Sequence, residues 1–237
     1  MSEASRAGLP WGRIAAEALL IFGSVYLAIF LEGRADDRRE EREAHQALGQ
    51  LLSELRGDQR DLVEVRAAQD SLTSHYDAIN RWLGDPARIP GDSITASLDY
   101  LSNNNRTMFP RHAAWTTMVA AGQLSELDDP ELVTRLGNLY ENVMPRVEYN
   151  GGYYDSQVND TFVFHVTEAW DSSRRQFGPG GEAAIVRLRD SMYRLWHAWN
   201  LFYLDLLVDY QTLVDEAAAA VEAYPAAREV ETGAGPS

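Results

Sequence analysis

The chain reads as all-α: a single N-terminal transmembrane helix, then a long stalk helix, then an antiparallel helical bundle. Three observations predict this. Residues Ile14 to Leu31 form an apolar run of 18 residues broken by one charge. Residues 48–83 set apolar side chains on a seven-residue grid. The remainder carries helix start and stop signals, and only Thr161–Thr167 has strand-like composition.

Composition narrows the chemistry. With 45% hydrophobic residues in 237, the chain can bury a core. It has no Cys, which removes disulfide scaffolds, thiolate nucleophiles, iron–sulfur clusters and cysteine zinc sites. Every basic residue is Arg, so a phosphate-binding loop lysine, a Schiff-base lysine and a kinase lysine are all excluded. Residues 1–31 balance Arg6 and Arg13 against Glu3 and Glu17, so the net charge of −15 lies in the remainder. Such a surface repels phosphate backbones, and no nucleic-acid partner is expected.

After a tail over residues 1–13, the run 14–31 approaches the length a helix needs to cross a hydrocarbon core, with Trp11 placed as an interfacial aromatic. The lipid bilayer is thus the first expected partner. A cleaved signal peptide fits less well, because the nearby Gly33-Arg34-Ala35 puts a charge inside the cleavage site. Glu17 is the candidate functional residue of this helix, since an ionisable group there is costly. The simpler reading is an interfacial pair with Arg13, one turn earlier. Ala16, Ser24 and Ala28 lie on one stripe of small residues where a second helix could approach closely, so a homo-oligomer or a protein partner is expected. Arg34, Arg38, Arg39 and Arg42 outnumber Arg6 and Arg13, which favours the cytoplasmic side of an inner membrane for the C-terminal domain.

The stalk helix spans residues 32–84. One column of its grid reads Leu48, Leu55, Leu62, Gln69, Tyr76, Leu83, and the other Leu51, Asp58, Val65, Leu72, Ile79. That coiled-coil-like stripe, about 50 Å long, has two polar exceptions and must be covered by other helices.

The bundle domain covers residues 85–224. Gly84-Asp-Pro86 stops the stalk, and Asp92 or Ser93 can cap a short helix through Leu101. A helix from Pro110 to about Ala121 ends at Gly122, a residue suited to a left-handed stop. Asp129-Pro130-Glu131 marks the next start. Residues 146–170 read as mostly helical despite Gly151-Gly152, because no other stretch offers a strand for Thr161–Thr167 to pair with. Asp171–Gly181 is a loop, a long final helix runs from about Glu182 to Ala223, and residues 225–237 form a disordered tail.

Ala16-Glu17-Ala-Leu-Leu-Ile21 with Gly23-Ser24 and Leu27-Ala28 resembles the anchor of an uncharacterised bacterial family of single-pass membrane proteins, a domain of unknown function. The stretches Ala114-Trp115 to Gly122-Gln-Leu124, Asp129-Pro-Glu-Leu132 and Leu139-Tyr140 are similar to its middle helices. The exit Glu32-Gly33-Arg34 lacks the Trp of that pattern. The resemblance implies location and helical architecture, and no activity.

No catalytic motif emerges. His165-Val-Thr-Glu168 has a ligand spacing on a helix, but a diiron site needs a second such motif and further carboxylates. No cofactor and no metal are expected. The candidate binding surface is the polar loop Asn103, Asn104, Asn105 and Arg106, with Trp115 nearby. The expected function is a membrane-anchored, non-enzymatic interaction or scaffold protein. The alternative is a small-ligand-binding sensory domain signalling through a membrane partner, with its ligand held among the Trp and Tyr residues.

Overall fold

A computed structural model describes residues 11–233, with most side chains between Leu19 and Tyr224. It is predominantly helical. The first helix, α1 (Trp11–Gly84), is continuous for 74 residues, so the expected anchor and stalk are one rod with no break at Glu32. By helical rise it is about 110 Å long. Among the described residues no helix is long and apolar enough to cross a membrane. Part of the span expected over 14–31, including the side chains of residues 14–18, lies outside the described residues.

Among the described side chains burial begins at Ala44, and from there the heptad stripe is fulfilled. All eleven grid positions from Leu48 to Leu83 are buried, the polar Asp58 and Gln69 included. What covers the stripe is this chain itself. Helix α2 (Thr95–Asn103), entered by a 3₁₀ turn at Gly91–Ile94, and helix α3 (Ala113–Ala120) lie on α1. The long closing helix α9 (Leu201–Gly233) also packs on it and runs antiparallel. Ladder contacts fix the direction: Thr73 meets Asn200, Arg66 meets Gln211, Gln59 meets Asp215, and Arg56 meets Glu222.

Between α3 and α9 the elements are short. Gly122 ends α3 at φ 71°, the left-handed stop expected of it. Asp129 caps α4 (Pro130–Gly137) by accepting from the amides of Glu131 and Leu132 at 3.0 and 2.9 Å. A π-helical turn, Asn138–Val143, leads into α5 (Met144–Val158), and a second, Asn159–Val166, follows before α6 (Thr167–Ala169). The stretch Thr161–Val166, strand-like by composition, is therefore wide helix. Gly151 survives inside α5 for a packing reason, since a Cβ there would come within 3.0 Å of the Tyr203 hydroxyl.

Several expectations are corrected. The loop predicted over 171–181 contains a minimal hairpin in which β1 (Trp170–Asp171) pairs antiparallel with β2 (Gln176–Phe177), and neither strand pairs with Thr161–Thr167. Asp171 builds its turn by accepting from the Ser173 and Arg174 amides and the Ser173 hydroxyl, and these bonds hold its carboxyl below the usual range. The hairpin sets Phe177 against Trp82 and Trp170, at ring separations of 6.0 and 5.3 Å, and so closes the end of the bundle. The final helix is also not one piece. It comprises α7 (Gly181–Arg187), a break at Leu188, α8 (Arg189–Arg194), a π-helical turn at Leu195–Asn200, and α9. Helix α9 continues to Gly233 through the start of the predicted tail, since Ala-Ala-Arg-Glu favours helix after the single Pro225. Asp92 and Ser93 sit inside the 3₁₀ turn and α2 begins without a side-chain cap.

Candidate functional site

Two regions stand apart from the packed core. The first is the part of α1 that precedes Ala44. Leu19, Leu20, Phe22, Val25, Tyr26, Leu27, Phe30 and Leu31 are each 47–76% exposed, and at helical spacing they span more than one face. From there to the bundle the surface becomes charged, with Arg39 paired to Glu43 at 2.9 Å. Ser24 of the predicted small-residue stripe is exposed, whereas the side chains of Ala16, Glu17 and Ala28 lie outside the described residues.

The second region is a cleft of about 390 Å³ between α5 with its following π-helical turn and α8 with its own. The wide turns spread the side chains of successive positions, a backbone variation often found at functional sites. One wall carries Tyr153, Gln157, Asp160, Thr161 and His165, and the other Ser191, Arg194, Leu195 and Trp199. Tyr153 and Trp199 meet at one corner, ring centroids 4.4 Å apart at 54°. Asp160 and Arg194 reach the same cavity from different helices, yet neither has a hydrogen bond or ion pair among the described residues.

His165 faces this cleft, but Glu168, its expected companion, does not line it. Among the described residues no group of three His, Asp or Glu is placed to hold a metal ion. Sequence reasoning placed Tyr153 and Trp199 in its aromatic set and missed Asp160, Ser191 and Arg194. The available signal was polar residues at i, i+3 on two segments, Gln157 with Asp160 and Ser191 with Arg194, each flanked by an aromatic. Without the pairing of the two helices that spacing is unremarkable.

The predicted polar loop has another role. Residues 104–112 have no regular structure yet bury Met108 and Pro110, so their backbone groups need partners from side chains. Helix α1 supplies most of them. Gln69 donates to the Arg106 carbonyl at 2.5 Å, Asp58 accepts from the Arg111 amide at 3.2 Å and its guanidinium at 2.8 Å, and Glu54 accepts from the Ala114 amide at 3.1 Å. From α9, the Tyr203 hydroxyl accepts from the Met108 amide at 2.8 Å. Asn105 and Thr107 both donate to Asp155 on α5. Asn103 and Asn104 bond back to Asp99 and Tyr100, and Arg106 pairs with Glu64 at 3.5 Å. The loop is a strap, held at nearly every residue. Trp115 corrects the expectation most plainly: it is only 5% exposed, stacked on Tyr140 at 5.1 Å, with its ring N–H donating to Glu141 at 2.8 Å.

Behind the strap the core is polar at two levels. Tyr210, fully buried, donates to Asp58 at 2.8 Å, and burial pushes the Asp58 carboxyl up despite its donors. Asn200 donates to Gln69 at 2.8 Å and accepts from Thr73 at 2.8 Å. Burial raises the phenols of Tyr76, Tyr203 and Tyr210 and takes that of Tyr154 to about 12, so all four stay neutral at physiological pH.

The model of one protein family, the family of unknown function DUF6090, matches residues 17–166 of this chain. The match covers α1 from its exposed apolar part, the strap, and α3 to α5, and it stops at the end of the second π-helical turn. No curated protein and no solved structure matches.

Proposed function

This chain belongs to the family of unknown function DUF6090, and on that premise we propose that it is a membrane-tethered, non-enzymatic interaction protein. Its anchor is residues 14–31. One observation carries the reading: eight large apolar side chains described between Leu19 and Leu31 are exposed on more than one face, and no other described element covers them. Their burial in lipid is strongly favourable at about 25 cal/mol per Å². The 18 residues extend about 27 Å, close to a hydrocarbon core.

The single rod of α1 bears on how such a protein works. Because the helix is unbroken from the apolar part into the bundle, displacement or rotation of the membrane segment is conveyed to the bundle without a hinge. The heptad stripe from Leu48 onward is already covered by α2, α3 and α9. A second copy or a protein partner therefore engages the part before Ala44, within the bilayer or just outside it, where Ala16, Ser24 and Ala28 permit close approach. The Arg residues after Leu31 favour the cytoplasmic side of an inner membrane for the bundle.

Fractionation of cells producing the full chain tests the tether. It is expected in the membrane pellet, resistant to alkaline carbonate, and a variant lacking residues 14–31 is expected in the supernatant. Intact full-length chain in the high-speed supernatant would overturn the proposal. In-cell crosslinking from position 24 tests the partner, and recovery of monomer alone counts against a membrane-proximal interface.

A further inference from the structure

We propose that the cleft between α5 and α8 binds a small zwitterion, in its simplest form a free α-amino acid. In this assignment Arg194 holds the carboxylate, Asp160 holds the ammonium, and the Tyr153–Trp199 corner receives the side chain. The proposal goes beyond tethering and does not depend on it.

Charge is the first argument. Asp160 and Arg194 face one cavity from separate helices, and neither is paired with another described residue. Two opposite charges held apart in one cleft complement a ligand that carries both signs at a fixed separation. A plain anion is disfavoured because the chain carries a net charge of −15, which repels it before Arg194 can act. A plain cation would leave Arg194 facing it across the cavity. A zwitterion meets neither penalty.

Hydrogen-bonding capacity is the second argument. Gln157 and Ser191, on opposite walls, make no bond to any described residue and both line the cleft. They supply a donor and acceptors beside the two charges, as recognition of a compact polar head requires. Size is the third. About 390 Å³ lies at the small end of metabolite pockets and suits one amino acid with a medium or large side chain. The Tyr153 and Trp199 rings, 4.4 Å apart, give that side chain an apolar face. A metal ion is the weaker occupant, since Asp160 and His165 are the only ligating side chains of the usual kind in the lining.

The test uses the full chain in mild detergent, titrated calorimetrically with each of the twenty standard L-amino acids. At least one is expected to bind saturably. For that amino acid, the matched analogues lacking the ammonium or the carboxylate are expected to bind on the order of tenfold more weakly, as loss of a charge-assisted contact implies. Asp160→Asn and Arg194→Gln should each weaken binding similarly while leaving the ligand-free melting temperature unchanged, because both residues are exposed and unpartnered. Absence of heat and of a melting shift across all twenty overturns the proposal. So does binding that survives both substitutions, or an analogue with one charge that binds as well as the amino acid. Each of these outcomes is independent of where the chain fractionates.

Discussion

Asp58 and Tyr210 form the contact whose disruption is easiest to quantify. The Asp58 carboxylate accepts from the Arg111 amide, the Arg111 guanidinium and the Tyr210 hydroxyl. Replacing it with Ala has unequal consequences for the Arg111 side chain and for Tyr210. The Arg111 side chain is 42% exposed and keeps Asp61 at 2.7 Å, so its loss is small. Tyr210 is fully buried and is left without an acceptor, which costs about 1–3 kcal/mol. With the cavity added, Asp58→Ala is expected to cost about 3 kcal/mol. Tyr210→Phe keeps the ring and removes one of three donors, for about 1 kcal/mol. In the Asp58→Ala background the same Phe substitution removes the orphaned hydroxyl and should restore about 1–2 kcal/mol, giving a coupling of about 2–3 kcal/mol. Urea unfolding of the four proteins in mild detergent, followed by far-ultraviolet circular dichroism, measures it. Equal cost of Tyr210→Phe in both backgrounds would refute the account of the polar level at Asp58.

Other outcomes follow from the same geometry. Burial raises the Asp58 carboxyl, so the folded state holds its proton more tightly than the unfolded chain does. That group contributes its full stability below the ordinary aspartate value of 3.8 and loses the contribution as pH rises through the elevated value. The melting temperature of the wild type relative to Asp58→Asn should therefore fall as pH rises from about 4, and parallel curves would contradict it. Two glycines make opposite predictions by thermal melting. Gly152→Ala meets no atom within 4 Å and should stabilise α5 by about 0.5–1 kcal/mol, whereas Gly181→Ala sets a Cβ onto the Ala169 carbonyl oxygen and should cost about 2–3 kcal/mol. Deleting the exposed Phe109 should lower the melting temperature as much as Gln69→Leu does, while inserting a glycine there should have little effect, because only the deletion shortens the strap.

Much of the architecture was legible in the amino-acid order. The grid from Leu48 to Leu83 marked a buried stripe, and Gly122 and Asp129 announced the helix end and start where they occur. The π-helical turns were not legible, because an i→i+5 turn has no residue preference comparable to a cap. The hairpin escaped notice because two residues per strand are too few to show alternation. The cleft escaped for a different reason. Its charges come from segments more than thirty residues apart, and nothing local records that α5 and α8 face one another.

Gln69 and Asp58 first appear as two flaws in an otherwise apolar grid, and their spacing argues that they select the path of the strap. They are eleven residues apart on a helix, about 16 Å along its axis. The groups they bind, the Arg106 carbonyl and the Arg111 amide, are joined by four residues of irregular chain, 107–110, which reach about 14 Å when nearly extended. With the Gln69 side chain making up the difference, the strap meets both partners by running taut and antiparallel to α1. A purely apolar grid would bury the same stripe as well or better, but it would offer the unpaired backbone at 104–112 no acceptor and no donor. The polar residues thus cost some hydrophobic burial and in return allow a segment without helix or strand to lie against the core. That segment delivers Ala114 to Glu54 and sets the start of α3, so the bundle's later path depends on the two positions where the heptad pattern fails.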